Sequence, residues 1–332
     1  MATLRDLRTR LRAVKNTGKI TKAMKMVSAS KLRRAQDAIL QARPYAIRMD
    51  EVLQHIVEHS DVTAHPLLAC RTPRRVMLIV LSSNRGLCGS FNANIIRSAE
   101  RFLRDGKSKY DEVRVGTIGR KARDHFRRIG VELDATYEGV WESLDFEHAT
   151  EIAEDVAARF KRGELDAIYL LYNEFKSAIS QSVSLVELLP VRRMQTWDDT
   201  PRVKVGELAA VSGNVGAVAG RKADVDTIQA GKSWQPSEQL ALGTQGYEHI
   251  FEPSRKDVLN HLLPQHLAVQ IWRALLESTA AEHGARMSAM DAASRNAKEM
   301  MERLTLNVNR ARQAAITREL MEIVGGAEAL KS

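Results

Sequence analysis

From Met290 to Ala315 one side of the chain reads Met290, Ser294, Ala297, Met301, Leu304, Val308, Ala311 and Ala315. The spacings alternate between four and three, and Ser294 is the one polar member. A seven-residue repeat of this kind draws an apolar seam along a helix and imposes a left-handed supercoil with a partner helix. The helical pattern runs over residues 265–324. Sixty or so helical residues span about 90 Å at ~1.5 Å each, wider than a small domain. The helix must therefore project beyond its own globular part. Gly325 and Gly326 are expected to end it as a C-cap.

The natural partner is the N-terminal segment, running antiparallel. Residues 3–43 carry Leu4, Leu7, Leu11 and Val14 at spacings of three, four and three, and Ile20, Met24 and Val27 extend the stripe with a shifted phase. Gly18 is a soft point, costing about 1 kcal/mol against Ala within a helix. No proline precedes Pro44 and none follows Pro264. A second helix is expected from Tyr45 to about His59. Alanines at 311 and 315 allow close approach and a slender rod.

Charge is concentrated in the same segment. Residues 1–43 hold twelve Lys and Arg against Asp6 and Asp37, whereas the whole chain carries a formal charge of +9. Everything after residue 43 is thus close to neutral. A helix this lopsided seeks phosphates, anionic lipid or an acidic protein surface. Aromatic residues make up 5% of the chain, thin for a binder that stacks on bases. There is no apolar run long enough to cross a membrane and no secretory pattern. Cys70 and Cys88 are the only cysteines, which excludes a disulfide scaffold or a Cys-rich zinc module.

The middle of the chain has another rhythm. Arg75–Leu81 (RVMLIVL), Val113–Ile118, Ala167–Tyr172 and Ser182–Leu189 read as strands. Phe91–Leu103, Lys121–Ile129 and Phe146–Phe160 read as helices. Strands alternating with helices predict an α/β domain with a partly parallel sheet. Residues 192–248 are glycine-rich and unpatterned, as a long surface insertion would be.

Chemistry leaves few traces. Gly231-Lys232-Ser233 ends like a phosphate-binding loop, but the glycine needed five residues earlier is Asp226. Gly86-Leu87-Cys88-Gly89 lacks the dinucleotide fingerprint and reads as a tight strand-to-helix turn, with Cys88 a small buried thiol. His261 and His266 flank Pro264, and His55 and His59 share a helix face without a third ligand. No catalytic residue, cofactor site or metal site is expected.

Three segments carry a family resemblance. Ile20–Gln36 (ITKAMKMVSASKLRRAQ), residues 82–92 (SSNRGLCGSFN) and residues 311–327 (ARQAAITRELMEIVGGA) resemble, in order and separation, motifs of the gamma subunit of bacterial F-type ATP synthase. The resemblance covers residues 1–190 and 247–332. It implies an antiparallel coiled coil inserted into a ring of three alpha and three beta subunits. The α/β domain would lie below, against the epsilon subunit and the membrane c-ring, at the cytoplasmic face of the inner membrane. Carried over residue by residue, it places Arg312, Gln313, Thr317 and Glu319 at the beta subunit's acidic catch loop. Met24 and Arg286 fall by the beta DELSEED-type segment, and Phe251 and Glu252 at a foot near the c-ring. Two departures stand out: 192–248 is longer than in compact members, and Lys25 replaces the acid of the family's AMEMV form.

The expected architecture is α/β, with a long antiparallel coiled coil of N- and C-terminal helices and a central Rossmann-like domain. Residues 1–60 form the first helical part, 70–191 the α/β domain, 192–248 the insertion, and 249–332 the foot and C-terminal helix. The expected function is a non-catalytic rotor shaft. The alternatives are a nucleic-acid-binding coiled coil and a nucleotide-dependent enzyme.

Overall fold

The computed structural model describes residues 3–58, 65–69, 71–178, 180–191, 203–204 and 254–329. Two helices dominate: α1 (Leu4–Glu58) and α5 (Arg255–Ala329). Each opens on a reciprocal cap. Asp6 N–H bonds Thr3 Oγ1 at 3.3 Å while the Asp6 carboxylate accepts from Thr3 N–H at 3.1 Å. Ser254 caps Asp257 N–H at 3.2 Å, and its hydroxyl donates to the Asp257 carboxylate at 2.6 Å. These contacts satisfy end donors that a helix otherwise leaves open. The Thr3 hydrogen bonds also hold the Asp6 carboxyl below its ordinary range.

Both helices are longer than the sequence reading expects. α1 continues through Pro44 as one helix. Pro removes a backbone donor and crowds the preceding turn. Here the turns beyond it are held by Ala46, Met49, Leu53 and Ile56, all buried in the main core. α5 contains Pro264 and runs past Gly325 and Gly326 to Ala329. Glycine weakens a helix by about 1 kcal/mol but does not sterically stop it.

Between them lies a six-stranded sheet in the order β3-β2-β1-β4-β5-β6. Its strands are β1 (Arg75–Leu81), β2 (Glu112–Ile118), β3 (Leu133–Tyr137), β4 (Ala167–Phe175), β5 (Gln181–Leu189) and β6 (Val203–Lys204). β1 pairs in parallel with β2 and β4, and β3 pairs in parallel with β2, whereas β5 and β6 are antiparallel additions. α2 (Phe91–Gly106), α3 (Arg120–Arg128) and α4 (Phe146–Lys161) complete the crossovers. β1 is buried on both faces, as its unbroken apolar run requires. Leu78 and Val80 meet Ile95 and Ala99 of α2 and Phe126 of α3. Met77, Ile79 and Leu81 meet α4 and the lower parts of α1 and α5.

α5 therefore has two environments. From Leu259 to Ala281 it is a core helix, with Leu263, Ile271, Leu275 and Ala280 fully buried. From Met301 onward the partly covered positions are 301, 304, 308, 311 and 315, the expected seam. α1 answers with Leu4, Leu7, Leu11, Val14, Gly18, Thr21, Lys25 and Ser28 at alternating threes and fours. This corrects the phase: Ile20 and Val27 are 59% and 57% exposed and point outward. The strict seven-residue spacing, not the next apolar residue, sets the seam. Each fully buried Leu, Ile or Phe contributes about 1.5–3 kcal/mol, so the head anchors the helix pair more firmly than the pair holds itself.

Candidate functional site

The first site element is the loop that the sequence marks as SSNRGLCGSFN. It leaves the carboxyl end of β1 and joins three parts of the molecule. Toward α3, the Ser82 hydroxyl accepts from Ala122 N–H at 2.8 Å, the Ser83 carbonyl from Lys121 N–H at 3.1 Å, and the Asn84 side chain from Arg120 N–H at 3.0 Å. Within itself, Ser83 Oγ donates to the Arg85 carbonyl at 2.6 Å, and Asn92 Nδ2 donates to Ser83 Oγ at 2.8 Å. Toward α5, Cys88 and Phe91 pack on Ala281 and Ala285 together with Phe175 from the end of β4. Burial pushes the Cys88 thiol up, so it stays a neutral packing group.

This arrangement decides what the Rossmann-like head can bind. In open α/β sheets ligands enter the crevice at the carboxyl ends of strands where the order reverses, here between β1 and β4. That crevice is filled by α5. A Cβ at Gly284 would sit 3.2 Å from the Ala178 carbonyl of the β4–β5 turn, so the helix backbone lies directly against the head. The N-terminal amides of α3, a ready anion site, are already taken by the loop. A cleft of about 290 Å³ beside it contains Arg120 and Arg123, but these pair with Glu142 and Glu138.

The second element is the cluster where α5 leaves the head. Arg286 lies on its outer edge with its side chain only 11% exposed. It donates to Glu282 at 2.5 Å, to the Gly86 carbonyl at 3.3 Å, and lies 3.3 Å from His283 Nδ1. Burial pushes the Glu282 carboxyl up, against the pull of Arg286. Burial also lowers His283 from 6.5 to about 4, helped by Arg286 and Lys31. His283 thus stays neutral in the folded chain while the unfolded chain protonates near pH 6.5. Stability tied to it is complete above that pH and falls as pH drops toward 4. With partial solvent screening the loss is on the order of 2 kcal/mol. His283→Gln should flatten the fall in thermal midpoint between pH 6.5 and 4, read by calorimetry; an unchanged slope would remove His283 from the acid response.

The third element is the free end of the rod. Gly18 faces Ala297, Thr21 faces Ser294 and Lys25 faces Asp291. In that register Leu4 at the start of α1 lies level with Ala311, so no described residue of α1 stands beside α5 beyond residue 315. Ile316, Leu320, Met321, Ile323 and Val324 are 49–68% exposed there. Arg312, Gln313, Thr317 and Glu319 are all exposed, although the Thr317 hydroxyl donates to the Gln313 carbonyl at 3.0 Å. Met24 is half-buried beside the seam. Phe251 and Glu252 lie outside the described residues, as do Gly231-Lys232-Ser233 and His59. His266 is buried 3.1 Å from Asp50, whereas His261 is exposed, so the two do not share a ligand face. Among the described residues no group of three or more His, Cys, Asp or Glu is placed to hold a metal ion.

Taken together, these elements define a stalk protein: a two-helix rod seated in the ligand crevice of an α/β head, with a bare apolar tip. The chain belongs to the ATP synthase gamma chain family. The family model described as ATP synthase matches residues 3–330. The ATP synthase gamma chain of Anaeromyxobacter sp. (strain Fw109-5) is 47% identical over 334 residues, covering 100% of both chains. That likeness runs through residues 192–248, so the long insertion is shared with a relative of similar length. Among solved structures, a chain of the Tetrahymena thermophila mitochondrial ATP synthase central stalk and c-ring is 25% identical with a TM-score of 0.54, covering 83% of this chain and 99% of that one. A chain from the Euglena gracilis mitochondrial ATP synthase shares the fold at 18% identity and a TM-score of 0.60, covering 98% and 94%.

Proposed function

We propose that this chain is the central rotor shaft of an F-type ATP synthase, itself non-catalytic. The observation that carries the reading is the rod: a helix pair rooted in a head and ending in an unpaired apolar helix. Such a tip needs a sleeve, which the ring of three alpha and three beta subunits supplies. The outward cations of α1 meet acidic beta segments. Arg312, Gln313, Thr317 and Glu319 touch the catch loop, with Met24 beside the DELSEED-type segment. Arg286 acts there through the 82–92 loop that it holds. Phe251 and Glu252 form the foot toward the c-ring, and the head meets the epsilon subunit. The rod differs on every side, so each beta subunit sees a different face. A face that binds one beta conformation better shifts that subunit's population and its nucleotide affinity. Ion-driven turning of the c-ring then cycles the three sites.

The complex is peripheral to the cytoplasmic face of a bacterial inner membrane, held there through the c-ring. No described helix is long and apolar enough to cross a membrane. No nucleic acid partner is needed to explain the basic helix.

Coexpression with the alpha and beta subunits of its own organism tests the reading. A 3:3:1 complex whose ATP hydrolysis depends on this chain is expected. A chain that elutes alone or on nucleic acid would overturn the shaft assignment. Within the complex, Met24→Lys should leave hydrolysis standing while ion pumping per ATP falls, because a new cation can pair too strongly with acidic beta segments as they pass. Equal pumping per ATP would take Met24 out of the coupling surface.

A further inference from the structure

Between Val14 and Leu32 the heptad positions of α1 are the small or polar Gly18, Thr21, Lys25 and Ser28, with Met24 half-buried beside them, while Met26 and Val27 face outward at 67% and 57% exposure. Small residues pack closely, with Ala297 Cβ 3.5 Å from where a Gly18 Cβ would stand. The knobs here come from α5 alone, with Met290 buried and Met301 Cε 4.0 Å from the Gly18 Cβ position, so apolar contact distinguishes one register from the next only weakly.

Directional contacts take over at this height. The Ser294 hydroxyl donates to Thr21 Oγ1 at 2.8 Å, and the Thr21 hydroxyl donates to the Gly18 carbonyl at 3.1 Å. Thr21 is 8% exposed, so its hydroxyl depends on these partners. One turn along, Lys25 Nζ reaches Asp291 Oδ1 at 2.5 Å, and Arg295 holds the other carboxylate oxygen at 2.5 Å. These cations keep the Asp291 carboxyl below its ordinary range. The lysine that departs from the AMEMV form thus finds its acid on the facing helix. Sliding one helix by a single turn, about 5.4 Å, would break both the hydroxyl bond and the ion pair. A half-exposed ion pair adds little stability, so its effect lies in geometry.

We propose that Thr21, Lys25, Asp291 and Ser294 form a polar clasp that sets the register and rotational setting of α1 on α5. Through it they are positioning residues for the partner-facing surface around Met24. The coupling part of this inference rests on the rotor-shaft reading; the register part does not.

Two readouts test it. The first is the distance between spin labels on Arg12→Cys and Arg303→Cys in the full chain, with its own cysteines replaced by alanine. The second is ion pumping per ATP hydrolysed in the assembled, membrane-bound complex. Lys25→Glu sets two carboxylates against each other. It should broaden or shift the distance distribution and lower pumping per ATP by about threefold, with assembly retained. Lys25→Glu with Asp291→Lys restores an opposite pair and should return both readouts to the native values. If Lys25→Glu fails to fold, Asp291→Asn with native helix content should move both readouts in the same direction. An unchanged distance, or a reversed pair that restores nothing, would overturn the clasp. A changed distance with unchanged pumping per ATP would overturn the positioning role. Failure of the native chain to assemble would count against the shaft reading alone, because the distance needs no partner subunit.

Discussion

Arg312→Ala with Gln313→Ala should lower the ATP turnover of the assembled complex about tenfold or more, since charge-assisted hydrogen bonds are among the strongest a surface contact makes. Neither side chain has a partner among the described residues, and both are exposed where α1 runs out. Their removal therefore takes nothing from the folded chain. Alanine is also the better helix former, so helix content should hold or rise. The guanidinium matters more than the amide, because its planar fork can hold a carboxylate by two parallel bonds while the helix turns past it. Arg312→Lys should recover only part of the rate. The measurement is ATP hydrolysis on complexes matched by native mass. Native turnover at full assembly would sink the proposed contact. Lost assembly would show that the tip is needed to hold the shaft in its sleeve.

The legible parts of this molecule were those where one physical signal acts alone. β1 could be read to the residue because an apolar run bounded by Pro73 and a turn has few other uses. The seam of α5 was equally plain, since its spacing never slips. α1 misled because two signals conflicted there. The spacing of three and four continues through Gly18, Thr21, Lys25 and Ser28, while hydrophobicity jumps to Ile20 and Val27. The polar contacts with Asp291 and Ser294 favour the first, and they depend on residues some 270 positions away. β3 escapes the alternation rule because LDATY is short, half-buried and at the sheet edge, with charges on its flanks. Pro44 and the paired glycines at 325 and 326 look like stops in the sequence because local propensity takes no account of tertiary support.

The proposed partner-facing surface divides in the same way. Arg312, Gln313, Thr317 and Glu319 are ordinary helix residues by composition, and only the family motif singled them out. The role of residues 82–92 was invisible to spacing rules, because its contacts reach α3 and α5 from one short loop. A Glu282–Arg286 pair at i, i+4 is readable from sequence. The Gly86 carbonyl that shares this arginine lies two hundred residues away and is not.

Gly119→Ala should be the most damaging single substitution in the head. Gly119 stands before α3 with φ at +99°, and an added Cβ would lie 2.0 Å from the Ser82 carbonyl oxygen and 2.8 Å from Trp141 Nε1. That carbonyl is backbone at the end of a central strand and cannot step aside alone. Ser82 N–H is bonded to the Ile118 carbonyl at 2.8 Å, and its hydroxyl holds Ala122 N–H. Relief of the clash must therefore part β1 from β2 or pull the loop off α3. Overlap with a fixed backbone adds to the strain of a positive φ, so a loss above about 3 kcal/mol is expected, roughly 5–10 °C in thermal midpoint. Gly130→Ala supplies the control. Its φ is +75°, yet nothing lies within 4 Å of the added Cβ. It carries the dihedral strain alone, about 1–2 kcal/mol. Equal losses for the two would show that backbone conformation, not the close approach to Ser82, is what requires glycine at 119. A larger loss at 119 is the expected result, because Gly119 adds the close approach to Ser82 to a φ of +99° with ψ of 147°, a backbone setting that almost only glycine adopts.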